Sequence, residues 1–439
     1  MPDHNLLKDA EAAVQIALDA GAKDAWASIS RDRSVDHGFH AGKLEKVQES
    51  TSRGLGISIY VDGRYSSHST TDLRPERLAA FIRDAVALTR ALQPDPYRLI
   101  PDPALFENRP TVDLDRVDPS LAGITGDQRI EWCAELDRAA HADKRVIAVD
   151  SGVFTGESEG ASASSNGFRG DWESTHIGWS ATVTVREDED KRPEGSYYVV
   201  GRYRAGLPAP AAVAEEALAR ALARLGSRKG PSARMTMVVD AQAAVSLLSR
   251  LLGPANAASL QQGRSFYAGK LGQPLVSERL TVVDDPLIPR GLASRHFDGE
   301  GISAKAMPIL RAGVVENIYV DTYYGRKIGM KPTSGSPSNR VVTPGAQSLA
   351  ELLREAGSGV YVTSWLGGNS DPTTGDFSLG LRGHLIENGQ PGAPVGEMNV
   401  TGNLAELFRG LARLGNDPYP YSSLRVPSLV FEGVNFSGA

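Results

Sequence analysis

Apolar residues recur at helical spacing from Leu6 to Leu18 (Leu6, Ala10, Ala13, Val14, Ala17, Leu18), and Gly21 stands where a helix end favours a left-handed residue. The spacing predicts a helix over 6–20. The rhythm then changes. Residues 25–30 read as a strand, and 54–61 alternate apolar and polar with period two. Asp62-Gly63 supplies the left-handed dihedrals of a two-residue hairpin turn into a strand over 64–70. Pro75 suits the first position of a helix that runs to about Leu92. The opening module is therefore a helix, several antiparallel strands and another helix.

Pro94, Pro96, Pro101, Pro103 and Pro110 punctuate a stretch too rich in imino acid for either regular element, which reads as a linker. A third helix is predicted over 127–142, with Ile130, Cys133, Ala134 and Leu136 on its apolar face. Residues 146–203 are strand-rich, with Asn166-Gly167 as a hairpin turn and a Thr/Val alternation over 181–185. An Ala/Leu/Arg/Glu helix follows over 212–225. Gly226-Ser227-Arg228-Lys229-Gly230-Pro231 marks the major boundary, as a stretch of that kind is expected neither to pack nor to propagate structure. Beyond it come a strand (235–239), a helix (241–252), a glycine-dense region, strands over 360–365, 376–386 and 395–400 with a Glu387-Asn388-Gly389 turn, a helix over 403–414 and a last strand over 428–436.

The pattern predicts an α+β protein: an N-terminal region of antiparallel sheet with flanking helices, and a C-terminal β-rich domain with a few helices. Its expected domains are 1–93, an α/β module; 94–226, a second α/β module continuing the first domain; and 231–439. The 46 glycines favour sheets joined by tight turns over a helical bundle.

Composition adds exclusions. Apolar residues make up 41% and charged residues 23% of the 439, which is ordinary globular usage. The 47 Lys+Arg and 53 Asp+Glu leave a net charge of −6, with no block of consecutive basic residues to act as a footprint for nucleic acid or anionic lipid. A single cysteine, Cys133, excludes an internal disulfide framework and any multi-cysteine metal site, and is compatible with a reducing cytoplasm. Met1–His4 lacks a basic leader region, and no stretch approaches the roughly 20 apolar residues of a membrane span. The expectation is a soluble, cytoplasmic protein that binds neither nucleic acid nor membrane.

Candidate chemistry is sparse. Among the eight histidines no pair forms an H-E-x-x-H helix, and no G-x-x-x-x-G-K-[ST] loop occurs. Gly54-Leu55-Gly56 stands in a strand pattern with no third glycine opening a helix, so it is not a dinucleotide fingerprint. His37 and His40, three apart in a strand or turn, rarely share a face. His296-Phe297-Asp298-Gly299-Glu300-Gly301, if extended, would put His296, Asp298 and Glu300 on one side as a metal or acid/base trio; its Asp-Gly and Glu-Gly steps equally describe a polar turn. Asp371–Ser378, with Thr374 and Asp376, is either a substrate-facing loop or a turn whose side chains bond their own backbone. No local Ser/His/Asp arrangement singles out a nucleophile.

A set of segments, in order over nearly the whole chain, resembles the TldD/PmbA family, formerly described as modulators of DNA gyrase. They are Gly42-Lys43-Leu44-Glu45 with 54–63, Gly269-Lys270-Leu271-Gly272-Gln273 through Asp285, Phe297–Gly301, Thr374-Gly375-Asp376-Phe377-Ser378, Ile386–Gly389, Gly402-Asn403-Leu404 and Gly415-Asn416-Asp417. The resemblance implies a peptidase family whose TldD-type subunit holds zinc with a helical H-E-x-x-x-H and a late cysteine. Counted back from the 269–285 anchor, those helical slots fall at Leu248, Ser249 and Gly253, and no cysteine stands near the C-terminus. The chain is thus similar to the PmbA (TldE) type, the family's metal-free subunit. That type implies no cofactor on this chain, zinc on a TldD-type partner, and an unfolded peptide as substrate. The segments Gly367-Gly368-Asn369 and Thr374–Ser378 are then expected near the shared interface, with His296, Asp298, Glu300, Asn369, Thr374 and Asp376 as candidate substrate or interface residues. The alternatives are a stand-alone, homodimeric peptide-binding or regulatory protein, and a hydrolase using His296, Asp298 and Glu300.

Overall fold

The computed structural model describes residues 5–188 and 191–438; the leader reading at Met1–His4 lies outside them. Helix α1 (Leu6–Asp19), capped by the Asn5 side chain, precedes the strands β1 (Asp24–His40), β2 (Lys43–Val61) and β3 (Arg64–Thr70), and α2 (Pro75–Arg90) begins at its proline. The β1–β2 hairpin is far longer than the alternation at 25–30 and 54–61 marked. Its outer half runs beyond the core, so residues 43–52 are exposed and carry no apolar rhythm.

Helix α3 (Gly126–Ala140), opened by a Thr125–Gln128 capping box, leads to β4 (Val146–Ser164), β5 (Arg169–Val185), β6 (Glu194–Gly201) and α4 (Pro210–Leu222). These strands join the first three in one antiparallel sheet of order β3-β2-β1-β4-β5-β6. Val149 and Val153 pack with α3 and α4, while Ala161 and Ala163 pack with α1 and α2. All four share a parity along β4, so both helix pairs cover the same face of the sheet. At Gly195 the backbone of α4 lies so close that an added Cβ would stand 2.2 Å from Ala221 N, and only glycine admits that contact.

The boundary stretch at 226–231 departs from expectation. It contains β7 (Arg228–Lys229), which pairs with the C-terminal sheet. Then follow β8 (Ala233–Val239), α5 (Ala241–Leu252), α6 (Ala257–Gln261), β9 (Val282–Asp284), β10 (Met307–Arg311), β11 (Val314–Val315), α7 (Thr322–Ile328), β12 (Arg340–Val342) and α8 (Leu349–Ala356). The chain ends with β13 (Gly359–Ser370), β14 (Asp376–Glu387), β15 (Gln390–Asn403), α9 (Leu404–Arg409), β16 (Leu411–Leu414), β17 (Leu424–Arg425) and β18 (Leu429–Ser437). The helix expected over 403–414 is only α9, because Gly410 ends it and the chain turns into β16 against β18.

Strands β8, β13, β14 and β15 follow one another in the sheet, and β18 pairs with both β8 and β15, so the five close on themselves. Met237, Val362, Leu381, Met398 and Phe431 pack in this domain's core beside Leu247, Leu248 and Leu251 of α5. The sheet β11-β10-β9-β12-β17 lies beside it.

The proline-rich stretch has no helix or strand except a 3-10 turn at Pro103–Phe106, and it is fastened down rather than free. Arg326 of α7 donates to the carbonyls of Leu99 (2.8 Å) and Ile100 (3.0 Å), and Tyr323 donates to Asp95 (2.8 Å). The uncovered face of the large sheet meets the C-terminal domain through Trp26 stacked on Phe168 (ring centroids 4.6 Å) and Phe168 edge-on to Phe297 (5.1 Å). Half-buried Arg202 donates to the carbonyls of Thr175 and Leu292 across the same junction.

Candidate functional site

Helix α5 is set by its N-terminus. Asp240 caps it through Gln242 N (2.9 Å), and Tyr361 of β13 donates to the other Asp240 oxygen (3.0 Å). Along the helix, Trp365 Nε1 donates to the Ala243 carbonyl (2.9 Å), and Arg250 reaches Ser370 Oγ (3.4 Å) at the other end. Strand β13 therefore flanks α5 over its length. Gln242, Ser246, Ser249 and Gly253, spaced by four, three and four residues, form its less buried face, whereas Leu247, Leu248 and Leu251 are fully buried.

The family-implied zinc slots can be tested against this geometry. Leu248 is 0% exposed inside an aliphatic core, Ser249 offers one hydroxyl, and Gly253 is the C-cap with no side chain. A zinc ion needs imidazole, thiolate or carboxylate donors, so these residues do not fit it. Among the described residues no group of three or more His, Cys, Asp or Glu side chains is placed to hold a metal ion.

Two adjoining cavities open at the base of α5, where the N-terminal domain meets the closed sheet. One, of about 310 Å3, is lined by Gln242, Ser246, Ser364, Trp365 and His384. The second, of about 500 Å3, shares Arg224 and Gly383 with it and adds Arg228, Lys229 and Arg382. Within the closed sheet, β13 and β14 approach closely here, since a Cβ on Gly383 would lie 1.9 Å from the Tyr361 carbonyl. Arg224 donates to the Glu194 carbonyl and to Ser364 Oγ (3.0 Å), both uncharged acceptors. Burial lowers its guanidinium to about 10, with the charges of Arg382 and Arg220 adding to the effect. His384, against the Tyr361 ring and within 3.3 Å of the Gly392 carbonyl, is also held below its ordinary value, first by burial. Arg224, Arg382 and His384 were not singled out from the sequence. Period two puts Arg382 and His384 on one face of β14, which was a legible signal. Nothing in the sequence joins Arg224 to them.

The structure divides the residues expected to be functional into two groups. Asn369, Thr374 and Asp376 lie at the end of the β13–β14 hairpin, exposed and near the C-terminal end of α5, where Phe266 N donates to the Pro372 carbonyl. Thr374 Oγ1 bonds Asp376 (2.9 Å), and Asn403 donates to Asp376 (3.1 Å), which places this stretch as the self-bonding turn. His296, Asp298 and Glu300 lie elsewhere, at the junction with the large sheet. They do not form the extended one-sided trio. Phe297 bridges to Ser303, Gly301 takes φ 78°, and the segment is a turn. Its carboxylates hold backbone: Asp298 accepts from Glu300 N, Ile302 N and Gly335 N, and Glu300 accepts from Thr322 N (2.8 Å) and Oγ1 (2.7 Å). Burial raises Glu300 above its ordinary value despite those two bonds. His296 contacts the Val112 carbonyl (2.8 Å) and, with Asp298, Trp172 and Ser162, lines a cavity of about 260 Å3.

Other sequence features resolve as structure. His37 is buried while His40 is exposed and paired with Asp150 (2.6 Å), and the two occupy opposite faces of β1. Cys133 is fully buried, and burial pushes its thiol up to about 11, so it carries little thiolate. Gly156-Glu157-Ser158-Glu159-Gly160 has the spacing of a hydrolase elbow but lies inside β4, paired on both sides, with Ser158 bonded to Asp32 (2.6 Å).

The geometry defines an α+β protein with a closed β domain fused to a helix-covered antiparallel sheet. Residues 27–89, 119–225 and 232–438 match, in turn, domain 1, the central domain and the C-terminal domain of the PmbA/TldA metallopeptidases. The chain is 37% identical to a protein from Bacteroides thetaiotaomicron described as a modulator of DNA gyrase, with a TM-score of 0.96 and 100% of both chains covered. It is 29% identical to the metalloprotease PmbA of Escherichia coli, covering 98% of this chain and 96% of that one. TldE from Thermococcus kodakarensis has the same fold, with a TM-score of 0.85 at 19% identity over 98% of this chain and 100% of that one. The chain belongs to the TldD/PmbA family. Among the described residues no helix is long and apolar enough to cross a membrane.

Proposed function

We propose that this chain is the metal-free subunit of a two-subunit TldD/PmbA-type zinc peptidase, working in the cytoplasm on unfolded peptides. Zinc and the water it activates belong, in this reading, to a TldD-type partner. The carrying observation is Leu248: at the position of the first ligand stands an aliphatic side chain fully buried in the core. The names metalloprotease PmbA and TldE on its relatives support the peptidase assignment. An extended peptide could be recognised by backbone pairing, which gives affinity with little sequence preference, along the exposed Gly367-Gly368-Asn369 part of β13. The segment Thr374–Ser378 beside it is assigned to the subunit interface. The net charge of −6 argues against direct DNA binding, whatever the description of one relative as a gyrase modulator.

The test is to purify the chain alone, measure bound zinc, and assay cleavage of an unfolded casein-type substrate with and without a TldD-type homologue bearing H-E-x-x-x-H. Cleavage only in the mixture is expected. Stoichiometric zinc and cleavage by the lone chain would overturn the assignment. Failure to associate with any such homologue would favour a homodimeric, non-proteolytic peptide binder instead.

A further inference from the structure

Among the described residues, the lining of the 500 Å3 cavity at the domain junction carries more positive than negative side chains. Lys191, Arg192, Arg224, Arg228, Lys229 and Arg382 line it against Glu187, Glu194 and Glu397, an excess of three positive charges among the described residues. Of the three carboxylates, Glu187 is occupied by Gly226 N (3.0 Å) and Glu397 pairs only loosely with Lys229 (3.9 Å). Arg382 is half-buried beside Arg224, yet its guanidinium makes no hydrogen bond or ion pair among the described residues. Glu194 offsets Arg224 in part, whereas Arg382 beside it has no carboxylate partner among the described residues, so solvent or a bound anion balances the remaining positive charge. Arginine's planar fork matches a carboxylate in two-point geometry.

We infer that this cavity is a subsite for the carboxylate of a bound peptide, either its C-terminus or an acidic side chain. Exposed Leu366 and half-buried Pro394 form an apolar wall beside the cations, suited to the rest of a terminal residue. The neighbouring cavity under Trp365 and Ser246 carries the site toward α5 and β13, so an extended peptide anchored here would run along them. The three wall carboxylates disfavour a nucleic-acid strand, whose phosphates repeat along the whole backbone.

The inference rests on the peptide-handling reading above, but its test needs neither partner nor metal. Fluorescence anisotropy with the full chain compares a short, neutral, labelled peptide with a free C-terminus, its C-terminal amide, and that amide with one internal glutamate. At least about tenfold tighter binding of a carboxylate-bearing form than of the plain amide is expected, equivalent to about 1.4 kcal/mol, and weakening with salt. Which form gains assigns the site to the terminus or to the side chain. Arg382→Gln should abolish the preference at unchanged melting temperature, and Arg228→Gln, on an exposed two-residue strand, provides a second reading should the first fail to fold. Equal affinity for all three peptides, or a preference that survives the folded variants, would overturn the inference. So would tighter binding of a single-stranded oligonucleotide that is lost in Arg382→Gln. Absence of partner-dependent cleavage alone would sink the subunit assignment and leave the carboxylate site standing.

Discussion

Rebuilding the metal motif in this chain should fail at its first residue. Leu248→His replaces a fully buried leucine, packed among aliphatic neighbours, by an imidazole. Losing the buried leucine forfeits about 1.5–3 kcal/mol of apolar transfer free energy. A buried ring nitrogen left without a partner adds about 1–3 kcal/mol. The sum, about 2.5–6 kcal/mol, corresponds to a melting temperature lower by about 5–24 °C for a domain of this size. Thermal unfolding of the single variant, and of the triple variant that adds Ser249→Glu and Gly253→His, should therefore show a marked loss of stability. Added zinc should not restore it, as no thiolate stands nearby. A variant that melts like the parent and binds one zinc per chain would refute the reasoning, because it would mean the slot still opens onto a cavity able to hold an ion.

Three further outcomes follow from the packing. Gly195→Ala would place a methyl 2.2 Å from Ala221 N, so α4 must move off β6, at a cost of about 1–3 kcal/mol read as a lower urea midpoint. Asp284→Ala removes a buried carboxylate that accepts from Tyr319 Oη (2.5 Å), Ser338 N (2.7 Å) and Ser338 Oγ; each donor left unsatisfied should cost about 1–3 kcal/mol in the same assay. Glu300 keeps its proton to higher pH in the fold than in the unfolded chain, so the native state binds more protons and stability falls as pH rises from about 4.5 through the raised value. Glu300→Gln, compared with the parent by urea unfolding at pH points on either side of that window, should gain relative stability toward higher pH; a pH-independent difference would contradict the shift.

The sequence carried the local rules. Leu6–Asp19, Pro75–Arg90 and Ala241–Leu252 follow from apolar spacing, caps and N-terminal proline, and the Asp62-Gly63 and Asn388-Gly389 turns from residues that accept positive φ. The poor fit of Leu248, Ser249 and Gly253 to zinc needs no tertiary contact to be read, because leucine and glycine offer no donor atom and a lone hydroxyl is a weak ligand for zinc. The sequence missed the outer half of the β1–β2 hairpin, whose exposed residues have no apolar period to read, and the two-residue strand at Arg228, which exists only because β15 offers it an edge. The trio His296, Asp298 and Glu300 looked chemical in one dimension. In the fold its carboxylates are absorbed by the backbone amides of Ile302, Gly335 and Thr322.

What only the tertiary structure decided is the juxtaposition of Arg224 with Arg382. One stands in the turn just after a helix over the large sheet and the other on a strand of the closed one. Electrostatic fields depend on distance through space and on the solvent displaced between charges, and neither quantity is written in the order of residues along a chain.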